Sequence, residues 1–300
     1  MRLLILGGEG MLGHKVFQVL TERFETFATF KDIKGTWRSF PIYAAVDAAR
    51  TIGGVNALNL DSVARAIASA KPTAVINCIG IIKQVPEAAD IALSIALNAL
   101  FPHRLADLCA TTGARLLHVS TDCVFSGRKG KYSEDDITDA DDLYGRTKAL
   151  GEVSRTGCLT IRTSIIGRDF LKQSALLEWF LTNRGRRVRG YRNAIYTGLT
   201  TQSLARIMGD ILMQHPTVDG IFQIACQPIS KLDLLVKIRD AMKLDIEVEP
   251  YDDPPCDRSL SAARFVAATG YRIPSWDDMI AELAADPTPY NEWRRAHGGA

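Results

Sequence analysis

Leu3 to Leu6 form a short, unbroken apolar run closed by Gly7, and between Leu12 and Leu20 the apolar residues recur at helical spacing. The pattern predicts a buried first strand followed by a helix. The alternation then repeats. Phe27–Phe30 is a predicted strand, Ser62–Ala70 a helix and Ala74–Ile79 a strand. Ile91–Ala110 follows as a helix that Pro102 should kink. Leu116–Val119 is a strand, Tyr144–Val153 a helix and Leu159–Arg162 a strand. Strands alternating with helices predict a parallel sheet covered on both faces.

After about Gly167 the texture changes. Helices are predicted at Ala175–Thr182, Gln202–Gln214, Lys231–Met242 and Trp276–Ala285, with short strands at Ile221–Ile224 and Ile246–Val248. Pro254-Pro255 and the Pro287/Pro289 pair mark loops. The expected architecture is α/β. A Rossmann-type doubly wound parallel sheet spans residues 1–167, and a smaller C-terminal α/β substrate lobe, interleaved with it, spans 168–300.

Composition narrows the class. The 300 residues are 47% hydrophobic and 23% charged, enough apolar material for a full core and too much for a disordered chain. The formal net charge of +2 makes no electrostatic case for a nucleic-acid binder. No apolar run approaches the roughly 20 residues that span a bilayer. The apolar start is too short for a signal peptide, so a cytoplasmic location is expected. Cys78, Cys109, Cys123, Cys158, Cys226 and Cys256 include no CxxC pair, and are expected to be free thiols. The histidines at 14, 103, 118, 215 and 297 show no metal-ligand grouping, so no metal is expected; His118, inside a strand, reads as a packed core residue.

Candidate chemistry begins with Gly7, Gly10 and Gly13, a G-x-x-G-x-x-G between the first strand and the helix opening at Met11. Glycines there allow a tight turn and let backbone approach a pyrophosphate, while the helix N-terminus offers free N–H groups and a positive dipole end. Strand two runs into Phe30-Lys31-Asp32, with Lys34 and Arg38 beyond. A base there favours the 2′-phosphate of NADP(H), and an acid the ribose of NAD(H). Lys31 comes first and has basic neighbours, so NADP(H) is preferred, with Asp32 keeping NAD(H) open.

Tyr144 and Lys148 are spaced i, i+4, on one face of a helix. An ammonium beside a phenol is expected to lower its pKa from about 10 toward the working range of a general acid. Thr121, just past the end of the predicted strand Leu116–Val119, would face the ligand crevice, where its hydroxyl can hold a reacting oxygen.

Together these residues resemble the extended short-chain dehydrogenase/reductase superfamily, and within it the dTDP-4-dehydrorhamnose reductases. The likeness runs through Leu6–Gly13, Val75–Gly80, Asn98–Pro102, Ser120–Gly127, Tyr144–Lys148, Ile161–Ser164, Asp257–Leu260, Thr269–Tyr271 and Pro274–Trp276. It implies Thr121, Tyr144 and Lys148 as the catalytic set. It places Gly10, Met11 and Leu12 at the pyrophosphate, Cys78, Ile79 and Gly80 beside the cofactor, and Asp122, Ile165 and Arg258 with Thr121 toward the substrate. The implied substrate is a nucleotide-activated 4-keto-deoxy sugar, and a homodimer is compatible with the likeness.

Departures bear on the sugar more than on the chemistry. Ile165 stands where the family often has an aromatic residue, and Gly198-Leu-Thr-Thr201 replaces Gly-x-Pro-Thr. Cys123 follows Thr121-Asp122 where the related dehydratases carry a glutamate, which argues against dehydration. A nucleotide-sugar 4-epimerase, using the same Tyr and Lys, is one alternative. A non-catalytic NADP-binding subunit resembling the β subunit of methionine adenosyltransferase is another. Arg184, Arg186, Arg187, Arg189 and Arg192, five arginines in nine residues, are either a clamp for the substrate's diphosphate or a solvated helix end and loop.

Overall fold

The computed structural model describes residues 1–83, 85–169 and 175–296. Its centre is a seven-stranded sheet built from β1 (Arg2–Leu6), β2 (Glu25–Thr29), β3 (Thr51–Ile52), β4 (Ala74–Asn77), β5 (Arg115–Val119), β6 (Cys158–Arg162) and the later strand Gly220–Gln223. The spatial order is Gly220–Gln223, β6, β5, β4, β1, β2, β3. Every neighbouring pair runs parallel. The order reverses between β1 and β4, so the carboxyl ends of these two strands border a crevice.

Side-chain alternation sorts the strands' residues into two apolar layers. Leu4, Leu6, Val75 and Leu116 pack with the helices Leu60–Ala70 and Phe101–Thr112. Leu3, Ile5, Ile76, Leu117 and Leu159 face the helices Met11–Leu20 and Thr201–Gln214, in a core that continues into the second half of the chain through Leu234, Phe265 and Trp276. The strand Gly220–Gln223 comes from that second half and extends the sheet beyond β6.

Several elements differ from the sequence expectation. The helix expected over Ile91–Ala110 is α-helical over Ile91–Ser94, π-helical over Ile95–Leu100 and α-helical again over Phe101–Thr112. Pro102 sits in the first turn of the last segment, and the π-helical distortion falls directly upstream of it, where a proline's missing N–H and ring disturb a helix. The Tyr144 helix spans Leu143–Leu150 and stops short of Val153. At its end Gly151 lies so close to the Asn98 carbonyl that a Cβ would overlap it. Arg186–Tyr191 is a strand rather than a loop, parallel to Ile246–Tyr251.

The end of the chain adds a short helix, Tyr290–Ala296, that no pattern suggested. Tyr290 meets His14 at 3.0 Å, and Lys15 forms a buried ion pair with Asp286 at 2.7 Å, so the segment braces the helix behind the glycine loop. Burial lowers His14 to about 3, so its ring is neutral.

Candidate active site

Gly7 takes a left-handed conformation, φ +86°. Its N–H donates to the Thr29 hydroxyl at 3.3 Å and that of Gly8 to the Thr29 carbonyl at 2.8 Å, pinning the turn to β2. Gly10 is the extended residue before the helix from Met11, and its N–H returns to the Gly7 carbonyl at 3.1 Å. A Cβ on Gly13 would overlap that same carbonyl, so only glycine lets the helix come this close. The buried Tyr43 donates its hydroxyl to the Gly8 carbonyl at 2.6 Å, a brace with no sequence signal. Met11 and Leu12 open the helix at the crevice.

Across the crevice, β4 ends at Asn77, whose side-chain oxygen accepts from the Ile79 N–H at 3.1 Å. The Cys78–Gly80 segment therefore turns toward the glycine loop, and a Cβ on Gly7 would lie 3.1 Å from Ile79 Cγ1. Gly80 lies beside Asn98 and Lys148: a Cβ there would stand 3.2 Å from Asn98 Oδ1 and 3.9 Å from Lys148 Nζ. Asn98 projects from the π-helical segment and clasps Ile81 through both N–H (2.8 Å) and C=O (3.0 Å). It joins the cofactor-side loop to the Tyr144 helix, and sequence reasoning had not placed it in the site. Burial pushes the Cys78 thiol up to about 12, so it is no nucleophile.

Asp142 caps the Tyr144 helix, accepting from the Gly145 N–H at 2.8 Å. Thr121 follows the end of β5. Its hydroxyl donates to Asp122 Oδ1 and accepts from the Cys123 N–H, both at 3.1 Å. Tyr144 is half-buried facing Thr121. Burial pushes its phenol up, the Cys123 thiol adds to this, and the contact with Thr121 opposes it. This corrects the expectation of a lowered phenol. Lys148 instead donates to the Val119 carbonyl at 2.7 Å, and its own pKa falls to about 8 because burial disfavours the charge.

Arg258 comes in from the second half of the chain. Its Nε donates to the Phe125 carbonyl at 2.8 Å, and its charge faces Cys123, Asp122 and Asp142. Gly127, at φ +89°, permits this close approach, since a Cβ would stand 2.7 Å from Cys256 Sγ and 3.1 Å from Arg258 Cγ. Ile165 is half-buried in the strand Ile165–Ile166, which pairs with Leu199–Thr200. Tyr196, half-buried on the strand Ala194–Tyr196, faces Asp122 and Cys123, its ring tilted 35° against that of Trp276 at 5.7 Å, and sequence reasoning missed it.

On the cofactor side Lys31 is exposed, and among the described residues no carboxylate pairs with it. Asp32 turns back into its own loop, accepting from the Lys34 N–H at 2.8 Å and the Thr36 hydroxyl at 2.8 Å. His118 is buried against Asn77 at 3.1 Å and kept neutral by desolvation, as a core residue; His297 lies outside the described residues.

In the arginine-rich stretch, two of the five arginines pair with carboxylates. Arg187 and Arg189 sit opposite Glu247 and Glu249 in the strand pair. Arg187 bonds Glu247 at 2.9 Å, and Arg192 reaches Asp252 at 3.4 Å. Those two are paired on an exposed edge, whereas Arg189 lies over the Tyr251 ring and Arg184 lines a cavity with Arg168, Glu178 and Arg294. Arg187→Ala should change neither cofactor affinity nor turnover by more than about twofold; steady-state kinetics checks this.

A glycine loop at the switch point of a seven-stranded parallel sheet, with a threonine, tyrosine and lysine converging at the strand ends beside it, defines a protein of the extended short-chain dehydrogenase/reductase type. Within that class, the chain belongs to the family described as RmlD substrate binding domain, whose model matches residues 1–287. Two curated relatives are similar over most of the chain. The dTDP-4-dehydrorhamnose reductase of Aggregatibacter actinomycetemcomitans is 27% identical over 98% of this chain and 96% of its own. The methionine adenosyltransferase 2 subunit beta of Mus musculus is 25% identical over 85% of this chain and 76% of its own. The crystal structure of dTDP-4-dehydrorhamnose reductase from Bacillus anthracis, in complex with NADP, shares the fold. It has a TM-score of 0.76 at 18% identity, covering 95% of this chain and 99% of that one. Among the described residues no helix is long and apolar enough to cross a membrane.

Proposed function

We propose that the chain is a reductase of the 4-keto group of a nucleotide-activated deoxy sugar, with NADP(H) as the preferred cofactor. The observation that carries this is the convergence of Thr121, Tyr144 and Lys148 at the end of β5, across the crevice from the glycine loop. The loop fits a dinucleotide: Gly7 makes the left-handed turn, Gly13 lets the helix pack against it, and Gly10 leaves backbone accessible at the helix N-terminus. The similarity to a dTDP-4-dehydrorhamnose reductase over nearly the full chain supports the substrate class.

The glycine loop and the Cys78–Gly80 segment would hold the dinucleotide, which when bound would supply hydride for the carbonyl carbon. The protein's part is to hold the carbonyl and give it a proton. The Tyr144 hydroxyl, kept protonated by burial, donates to the developing alkoxide. Thr121 orients the same oxygen, exchanging its bond to Asp122 for one to substrate. The Lys148 ammonium, held under the strand end by the Val119 carbonyl, is the cation this reading assigns to balance the phenolate left behind. Arg258 and Tyr196 border the substrate side. NADPH oxidation followed by absorbance, against dTDP-, UDP- and GDP-4-keto-deoxyhexoses, tests the proposal; turnover of none of them would overturn it.

The similarity to a methionine adenosyltransferase subunit favours a second reading, a dinucleotide-binding regulatory subunit. Absence of turnover together with co-purification of a catalytic partner would support it.

Cofactor preference rests on Lys31. With Asp32 engaged by its own loop, Lys31 can meet a 2′-phosphate without a competing carboxylate. An exposed contact of this kind contributes about 1–2 kcal/mol, or roughly 5–30-fold in affinity. Lys31→Ala should weaken NADPH by that factor, leave NADH nearly unchanged, and lose the difference as salt rises. Fluorescence titration of both cofactors checks this, and tighter NADH than NADPH in the wild type would reverse the preference.

A further inference from the structure

Beneath the Tyr144 helix the sheet face turns from apolar to polar at the carboxyl ends of its strands. Asn77, His118, Ser120, Thr160, Arg162 and Gln223 are all buried there. Glu152 stands at the centre of this band, two residues past the helix and four past Lys148. Its carboxylate takes two bonds from Arg162, from Nε at 2.8 Å and Nη2 at 2.7 Å, and one from the Ser120 hydroxyl at 2.7 Å. Both side chains of the ion pair are about 5% exposed or less. Ser120 immediately precedes Thr121, and Arg162 ends β6.

The geometry points to Glu152 as a positioning residue for the proposed reduction: its carboxylate ties the ends of β5 and β6 to the end of the helix carrying Tyr144 and Lys148, and places a buried negative charge four residues from Lys148. The inference rests on the roles proposed above for Thr121, Tyr144 and Lys148. A carboxylate this deeply buried is costly unless it is paired. Arg162 and Ser120 satisfy it, yet the strand ends could have been joined by apolar packing at no such cost. What apolar packing cannot supply is charge. Burial draws Lys148 down to about 8, and Glu152 is the largest influence in the opposite direction. The other ionisable groups around Lys148 are the Cys78 thiol from the end of β4, His118 from β5 and Tyr144 on its own helix. The thiol stays protonated near neutral pH and His118 stays neutral, so neither replaces the carboxylate.

The sign follows directly. Removing the carboxylate's charge favours neutral Lys148, so its titration moves to lower pH, and the alkaline limb of any rate profile that needs the ammonium moves with it. Glu152→Gln should lower the Lys148 midpoint by about one pH unit. The measurement is the 13Cε resonance of Lys148 in 13C-lysine protein, assigned by its disappearance in Lys148→Met and titrated in the wild type and the variant. A folded Glu152→Gln with an unmoved midpoint would overturn the inference. Gln at 152 leaves Arg162 without its partner, which threatens folding. The double variant Glu152→Gln, Arg162→Gln removes that stranded guanidinium; losing opposite charges together, it should shift the midpoint in the same direction by less than Glu152→Gln does, and a midpoint raised above that of the wild type overturns the inference. The resonance needs no substrate, so loss of the reductase proposal in the sugar panel and loss of this inference are separate results. Where a sugar is reduced, the alkaline limb of kcat/KM should follow the resonance, a shift that a merely structural role would not produce.

Discussion

Tyr144→Phe is expected to lose about 100-fold or more in kcat, with little change in cofactor affinity. The substitution removes one oxygen and leaves the ring. That ring is half-buried with the Lys83 ammonium 5.6 Å from its centroid, so packing is retained. The hydroxyl lies against Thr121, where a carbonyl oxygen would be held, and burial keeps it protonated through the neutral range. The other hydroxyl at this point, Thr121, is a far weaker acid. Single-turnover reduction by enzyme already loaded with NADPH isolates the chemical step. A Phe variant within threefold of wild type would remove Tyr144 from the mechanism.

The second large effect falls on cofactor binding, and two neighbouring glycines separate its causes. A Cβ on Gly13 would overlap the Gly7 carbonyl and stand 2.8 Å from its carbon, so Gly13→Ala forces the helix away from the loop. Overpacking of this kind costs about 1–3 kcal/mol, and it displaces the N–H groups that would face a pyrophosphate. Affinity for NADPH should fall at least tenfold and the melting temperature with it. At Gly10 the nearest atom to an added Cβ is the Gly7 carbonyl oxygen at 3.4 Å, an ordinary contact, so Gly10→Ala should melt within a few degrees of wild type. Its affinity should nevertheless fall by about tenfold or more, because the added methyl occupies space the pyrophosphate needs. Calorimetric melting together with fluorescence titration reads both quantities. Unchanged NADPH affinity in Gly10→Ala would place the cofactor elsewhere.

Local chemistry explains which parts were legible in the sequence. The apolar run Leu3–Leu6, the glycine triplet behind it and the i, i+4 pair Tyr144 and Lys148 act through neighbours a few residues away, and each lies in the element expected of it. Short apolar runs likewise located the sheet strands, because a strand buried on both faces needs no polar side. Boundaries were less legible. The Tyr144 helix stops where Gly151 meets Asn98, a contact between residues 53 positions apart that no helical spacing contains.

The sequence by itself determined the alternating strands and helices, the parallel sheet, the phosphate-type loop and the types of residue available for proton transfer. Tertiary structure alone decided how those residues are charged and what they touch. Arg187 could be a clamp or a partner until Glu247, sixty positions on, came alongside it. Arg258 reached Asp122 and Cys123 only through the fold. The spacing of Tyr144 and Lys148 suggested a lowered phenol, but desolvation dominates both groups, raising Tyr144 and lowering Lys148. Burial depends on every element packed around a side chain, so it is written in no single stretch of sequence. Glu152 shows the same division: its four-residue spacing from Lys148 was visible, whereas its bonds to Ser120 and Arg162 exist only where two strand ends and a helix end converge.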